Sequence, residues 1–479
     1  MFASIIRSQG FKNSFWSLIS ASIYPVFIVI ATPVLIHYLG VEQFGIWVLV
    51  NTFLQLISSF NLGLGDSTIK AIAENLAQQQ HTRIKKIVSN ALSISMILVS
   101  VIALLAIGFI ELIKIMKTDL AINLSDSGII TLRFAVIIFV IRFLEQLLLS
   151  ILQGFNRYDI SSVILVLSRV TILIVSVICS VIGLGVVQIF LYSSIALSFI
   201  LVFEVLYLKR IYPYLSFIPE LSYNESRSLL KFGIWTWLQG MLAVFTTQLD
   251  KFLIASASGL NVLAYYSIGS MVTAQLHSLF YSASAWIFPS IVKKKIRNLP
   301  LIGLYHNAQW LLTTFGIVVI MALLVGESFV FPLWLGEDMY AQSARFIRLF
   351  LYYNLFLIIN IIPFLFMNGS GHVRYNTGFE FSLKALNIFS MLSLYFLIGD
   401  TGLLWGLIIS TALITPIRLH KILSQHNAKN VVIYSLLPVI TMLMIIILFE
   451  TSSKIMQFGI GSLTSIAYFY AYLSTIKRN

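Results

Sequence analysis

The length of the apolar runs narrows what this chain can become more than any other feature. From Phe15 onward, apolar blocks of roughly 18–25 residues follow one another with short polar punctuation, and as helices they span ~30 Å of hydrocarbon. Charged residues make up only 10% of the chain and apolar residues 59%. Soluble domains run near ~25% and ~45–50%, so no soluble surface can be built from this composition. The first block, Phe15 to Tyr38, is too long for a signal h-region and lacks a small-x-small cleavage site, so it is expected to stay as a span. The lone cysteine, Cys179, lies inside a span and excludes both a disulfide framework and a Cys-based metal site.

The expected fold is therefore all-α and polytopic, with about fourteen transmembrane helices. Their approximate ranges are 15–38, 44–66, 88–113, 129–152, 160–182, 186–208, 231–257, 262–292, 308–333, 344–367, 377–398, 403–420, 431–449 and 459–476. Placing the N-terminus in the cytosol puts 21 of the 31 Lys/Arg residues on cytosolic flanks, Arg418 among them. The opposite side holds 3, namely Lys114, Lys117 and Lys454, and 7 fall within spans. Only this orientation satisfies the positive-inside rule, with both termini cytosolic. The net charge of +13 then reads as a topology signal and an attraction to anionic lipid, and implies no nucleic-acid partner.

Two cytosolic segments stand out. Residues 67–87 carry Ile69, Ile72, Ala73 and Leu76 at helical spacing opposite Lys70 and Glu74, which reads as an interfacial helix or an extension of span two. Residues 209–230, with Pro213 and Pro219, read as a linker between two six-span halves, 1–208 and 231–420. The remainder, 421–479, adds two further helices.

Landmarks recur across that linker at a nearly constant offset. Gly40 to Gly45 lies against Gly259 to Ala264, Asn90-Ala91 against Asn307-Ala308, and Arg133-Phe134 against Arg345-Phe346. Gln153-Gly154 lies against Asn368-Gly369, and Ile182-Gly183 against Ile398-Gly399. Six spans per half give the halves one orientation, the parallel-repeat arrangement of transporters that rock two bundles around a central site. Prolines inside spans (Pro25, Pro33, Pro363 and Pro416) each remove a backbone hydrogen bond and permit a kink.

An ionisable side chain at bilayer depth costs roughly 2.5–3.5 kcal/mol on insertion scales, so it needs a reason. Arg142 in span four and Arg169 in span five both fall near the midplane, with Glu145 three residues after Arg142 on the same helix face. One reading is a cationic site for an anionic substrate, with Glu145 restraining Arg142 when the site is empty. The other is a structural ion pair plus an arginine bonding backbone carbonyls. One carboxylate cannot neutralise two arginines.

In the second half, Asp250 and Lys251 lie in span seven and are candidates for ion coupling. Lys384 in span eleven has Glu380 one turn earlier, in the favourable order for an i,i+4 pair. Arg133, Arg345 and Arg348 stand within about a turn of outer span ends, where long side chains snorkel. His277, mid-span, reads as a satisfied core histidine or a proton carrier.

No G-x-x-x-x-G-K-[ST] is present to cradle ATP, and no H-E-x-x-H or His/Asp cluster to hold a metal. No outer loop is long enough to house a catalytic domain. Neither a catalytic residue nor a cofactor is expected.

Pro33 through Tyr38-Leu39-Gly40 to Phe44-Gly45, followed by Gly63-Leu64-Gly65, resembles the first two spans of polysaccharide flippases. Gln153-Gly154-Phe155-Asn156-Arg157-Tyr158 resembles their turn after span four, and Asp250, Gly259 and Tyr265-Tyr266 their span seven–eight signature. The resemblance, over most of residues 12–420, is to the O-antigen/exopolysaccharide repeat-unit flippases (Wzx type) of the multidrug/oligosaccharidyl-lipid/polysaccharide exporter superfamily. It implies a bacterial inner-membrane protein with two six-helix lobes around a cavity. It also implies alternating access that moves undecaprenyl-diphosphate-linked oligosaccharide to the outer leaflet, with membrane lipids, a polysaccharide polymerase and a chain-length regulator as partners. An anionic headgroup would engage Arg142, Arg169, Glu145 and Lys384. A lipid II-type flippase, a drug exporter of the same superfamily, a membrane-embedded polymerase or ligase, and a permease subunit with a separate ATPase remain as alternatives.

Overall fold

The computed structural model describes residues 9–116, 119–284, 286–425 and 431–451. Among these, ten helices are long and apolar enough to cross a membrane. The protein is an all-helical, multi-pass membrane protein, and it divides into two compact units, Met1–Ala264 and Tyr265–Asn479.

The first unit contains α1 (Gln9–Leu39), α2 (Val41–Ser58), α3 (Leu64–Ala77), α4 (His81–Ile115), α5 (Asp119–Gly154), α6 (Tyr158–Val181), α7 (Val186–Ile211) and α8 (Tyr223–Ala257). α9 (Leu260–Ser284) crosses the division. The second unit continues with α10 (Ile287–Ile296), α11 (Ile302–Val325), α12 (Glu327–Leu335), α13 (Glu337–Gly369), α14 (Val373–Ile398), α15 (Asp400–Gln425) and α16 (Val431–Thr451). Thirteen of the fourteen expected spans have a helical counterpart here. The last, 459–476, lies outside the described residues, as do Lys117 and Lys454.

Three spans break where the sequence reading ran them on. Span two, expected over 44–66, ends at Ser58, because Leu62 and Gly63 take positive φ (49° and 65°) and the Gly63 amide donates to Asn61 Oδ1 at 3.0 Å. That Asx turn ends the helix and starts α3. The segment after span two is thus a separate amphipathic helix, with Ile72 fully buried and Lys70 3.9 Å from Glu74 on the exposed face. Span eight, expected over 262–292, stops at Ser284 before the short α10, and span nine divides at Gly326 into α11 and α12. Pro25, Pro33, Pro363 and Pro416 lie inside continuous helices.

Part of the helix packing recurs in the two units, each described by itself. In the first, α5 packs on α3, α4 and α7, and α6 on α7; in the second, α13 packs on α10, α11 and α15, and α14 on α15. Gly40 and Gly259, which the landmarks pair, stand at the starts of α2 and α9 with φ of 79° and 87°, a conformation L-residues avoid. The other requirement is close approach. A Cβ on Gly154 would lie 2.7 Å from Ile72 Cβ, and one on Gly369 would lie 3.0 Å from Ile291 Cγ2, so each short helix presses an isoleucine onto a glycine. Overpacking of this kind costs about 1–3 kcal/mol. Gly154→Ala is therefore expected to lower the melting temperature of the solubilised protein, and Gly369→Ala to lower it less; the reverse order would contradict the contact distances.

The segment 209–230, expected as a linker, is helical at both ends, and its residues 212–222 are laid against the start of α4. Asn90 Oδ1 accepts from the Ser222 amide (2.8 Å) and the Ser226 hydroxyl (3.0 Å), and Ser89 donates to the Ser216 carbonyl at 3.1 Å. Tyr212 stacks on Phe155 with ring centres 4.1 Å apart, and Leu215 is buried in the core between α4, α5 and α7.

Candidate functional site: a basic chamber in the first unit

α5 is largely buried, yet one stripe of it is polar. Arg142 and Gln146, one turn apart, open into a cavity of about 520 Å³. α6 adds Arg169 from the adjacent wall. Asn51 and Gln55 come from α2, Tyr24 from α1, Asp66 from α3 and Trp237 from α8. An adjoining recess of about 370 Å³ shares Arg142, Gln146, Arg169 and Asp66 and adds Glu145, Ser168 and Gln153.

The two guanidinium groups share the recess with Asp66 and Glu145 but clasp neither. Among the described residues neither forms an ion pair within 4.0 Å, whereas Arg133 is paired with Glu111 (2.6 Å) and Arg348 with Glu327. Arg169 is exposed to the cavity and lies over the Tyr24 ring, 6.0 Å from its centre, a cation–π placement. Arg142 is half-buried. Glu145, 5% exposed, does not clasp Arg142; it accepts a hydrogen bond from the Ser168 hydroxyl across the α5–α6 contact. That bond ties two helices together, and Glu145 acts on Arg142 only electrostatically. Asp66 sits in the first turn of α3, where the helix N-terminus already favours an anion.

Trp237 fixes the wall by donating its indole N–H to the Ser59 carbonyl at 2.6 Å, at the break after α2. Gln248 donates to Gln55 Oε1 at 2.9 Å and accepts from Lys251 Nζ at 3.2 Å. Lys251 therefore reaches the chamber through two amides without lining it. Lys251 Nζ also donates to the Thr247 carbonyl, and Asp250, buried, accepts from the Lys251 backbone amide. The Lys251 side chain thus turns to Thr247 and Gln248, while its backbone amide serves Asp250. Of the six residues singled out in the sequence, the chamber gathers Arg142, Arg169 and Glu145, while Asp250 and Lys251 stand behind it.

Lys384 belongs to the second unit, half-buried on α14. The expected Glu380–Lys384 pair does not form. Glu380 instead accepts from Arg418 at 3.0 Å, and the same guanidinium donates to Asn376 and reaches Asn360 at 3.5 Å. Arg418 is 2% exposed, so it is an interior residue and not the cytosolic-flank charge it was counted as. α15 runs on to Gln425, past the expected span end at 420, and this carries Arg418 more than a turn inside the helix. The sequence reading missed Arg418 for that reason. It also missed Gln55, Asp66, Tyr24 and Trp237, which carry no signal until the fold brings them together.

Residues 11–295 match the family described as polysaccharide biosynthesis protein. A candidate O-antigen transporter of Shigella flexneri is 23% identical over 369 residues, 74% of this chain and 83% of that protein. Among solved structures, the lipid II flippase MurJ in an inward closed conformation superposes with a TM-score of 0.68 at 15% identity, over 97% of this chain and 98% of that one. An inward-facing multidrug resistance MATE family transporter of the MOP superfamily gives 0.68 at 14% identity, over 90% and 97%. These likenesses establish the fold, and the sequence match over more than half the chain establishes that the protein belongs to the polysaccharide biosynthesis protein family.

Proposed function

We propose that this chain is a flippase for saccharides carried on an undecaprenyl diphosphate lipid. It moves them from the cytosolic to the periplasmic leaflet of a bacterial inner membrane by alternating access, with both termini in the cytosol. The observation that carries this reading is the pair Arg142 and Arg169, which share one chamber and, among the described residues, form no ion pair there. Charges held at bilayer depth are costly and mark substrate paths, and two of the same sign side by side favour an anion. A diphosphate suits them, because the guanidinium fork binds phosphate oxygens bidentately. The chamber volume lies in the range of small-ligand sites, about 300–1,000 Å³, enough for a headgroup and its first sugar. Asn51, Gln55 and Gln146 offer amide partners to sugar hydroxyls, and Tyr24, Trp47 and Trp237 offer ring faces to sugar carbons.

The sign of the charge weighs against an exporter of cationic drugs, whose cavity would need carboxylates in excess. The relative from Shigella flexneri, named for O-antigen transport, supports a bacterial surface polysaccharide as the cargo. On this reading the chain makes no covalent change to its substrate, and a polymerase with a chain-length regulator consumes what it delivers. The purified protein should bind undecaprenyl diphosphate and not undecaprenol, with the difference lost when both arginines are replaced by alanine. Equal retention of the two lipids by the wild-type protein in native mass spectrometry would refute the cationic-site assignment.

A further inference from the structure

Behind the chamber, α7 carries a carboxyl that nothing satisfies. Glu204 is 0% exposed, and neither of its oxygens has a hydrogen-bond partner among the described residues. It shares a buried stripe with Leu197 and Leu208. α2, α5 and α6 pack against α7, and among the described residues the one charged group that acts on Glu204 is Glu145 of α5. The two carboxyls lie at similar depth, Glu145 nine residues before the end of α5 at Gly154 and Glu204 seven before the end of α7 at Ile211. Those ends adjoin, since Phe155 stacks on Tyr212. At ~1.5 Å per residue both carboxyls are roughly 10–14 Å in from that end.

A buried carboxylate without donors is too costly to persist, and two neighbouring carboxyls resist double ionisation. Glu145 has the better claim to the charge, because it lines the recess with Arg142 and Arg169 and accepts from Ser168. We propose that Glu204 is a proton-binding site, loaded in this conformation, and that Glu145, beside the arginines, couples protonation to anion binding. An anion on the arginines cancels their positive field at Glu145. A proton from chamber water then binds Glu145, and it leaves again when the anion leaves. Glu204 already holds its proton and gives it up only when α5 and α7 part far enough for water to reach it. The direction follows: anion binding takes up a proton, so it tightens as pH falls through the range in which Glu145 titrates.

The linkage rests on the anion-site reading above, whereas the loaded state of Glu204 does not, and two measurements separate them. Infrared spectra of the purified full-length protein at neutral pH should contain the carbonyl band of a protonated carboxylic acid, lost in Glu204→Gln. If that substitution removes no such band, Glu204 is not a loaded proton site. Calorimetric titration with inorganic pyrophosphate, in buffers of different ionisation enthalpy, should show the wild-type protein taking up about one more proton per pyrophosphate than Glu145→Gln. Equal uptake by the two proteins would overturn the linkage. Failure of the wild-type protein to bind pyrophosphate at all would count against the anion site itself, and the infrared band would still decide the state of Glu204.

Discussion

Cells carrying Arg142→Ala or Arg169→Ala in place of the wild-type chain should lose surface polysaccharide while the protein stays in the membrane at its normal level. The two halves of this expectation have separate causes. Truncating one partner of a desolvated, hydrogen-bonded charge pair costs about 2–5 kcal/mol, which weakens headgroup binding by roughly 30- to 4,000-fold. The folded protein loses little, because neither guanidinium forms an ion pair among the described residues. Relief of an uncompensated charge at bilayer depth even favours the variants. Lysine in either position should restore part of the activity, since it keeps the charge and loses the fork. The check is a membrane immunoblot beside a stain for surface polysaccharide, and normal polysaccharide from both alanine variants would remove the basis of the assignment.

Arg418→Ala should fail in the opposite way, through the protein itself. Its guanidinium is the shared partner of Glu380 and Asn376, with Asn360 at its edge, and it joins α13, α14 and α15. Removing one member of a buried pair costs about 3–5 kcal/mol. The lower end applies here because Glu380 is 33% exposed and water can rescue it. A loss of about 3 kcal/mol is a large share of an ordinary folding free energy, about 5–15 kcal/mol, so the variant should melt earlier and accumulate poorly. Combining Arg418→Leu with Glu380→Gln removes both charges and should recover part of the lost stability. A melting temperature of Arg418→Ala equal to that of the wild type would mean that the cluster does not hold the unit together.

The contrast between these two arginine sites explains what the sequence disclosed and what it withheld. Arg142 and Arg169 stand in the middle of long apolar runs, where the cost of a charge is plain whatever the exact span ends. Arg418 stands near an end, and an error of five residues in the boundary turned an interior group into a flanking one. Taking it from the cytosolic count leaves 20 against 3, so the topology argument is unaffected. Glu204 carries the same signal as Arg142, a lone charge among Phe203, Val205 and Leu206, but its nearness to a span end hid it. The breaks at Leu62-Gly63 and Gly326 were missed because hydropathy does not register a local turn. Glu145 was placed correctly on the face of Arg142, yet its partner, Ser168, lies on another helix, and helix periodicity cannot reach across a contact. Glu380 shows the same limit, since spacing offered Lys384 and the fold supplied Arg418.

The stapling of residues 212–222 onto α4 bears on how such a chain can be recombined with its relatives. A graft point chosen between the two sequence halves, near residue 220, would cut through bonds to Asn90 and part α8 from the unit whose chamber it walls with Trp237. A chimera joined after Ala264 keeps α8 with its host, so cargo preference should travel with the donor of residues 1–264.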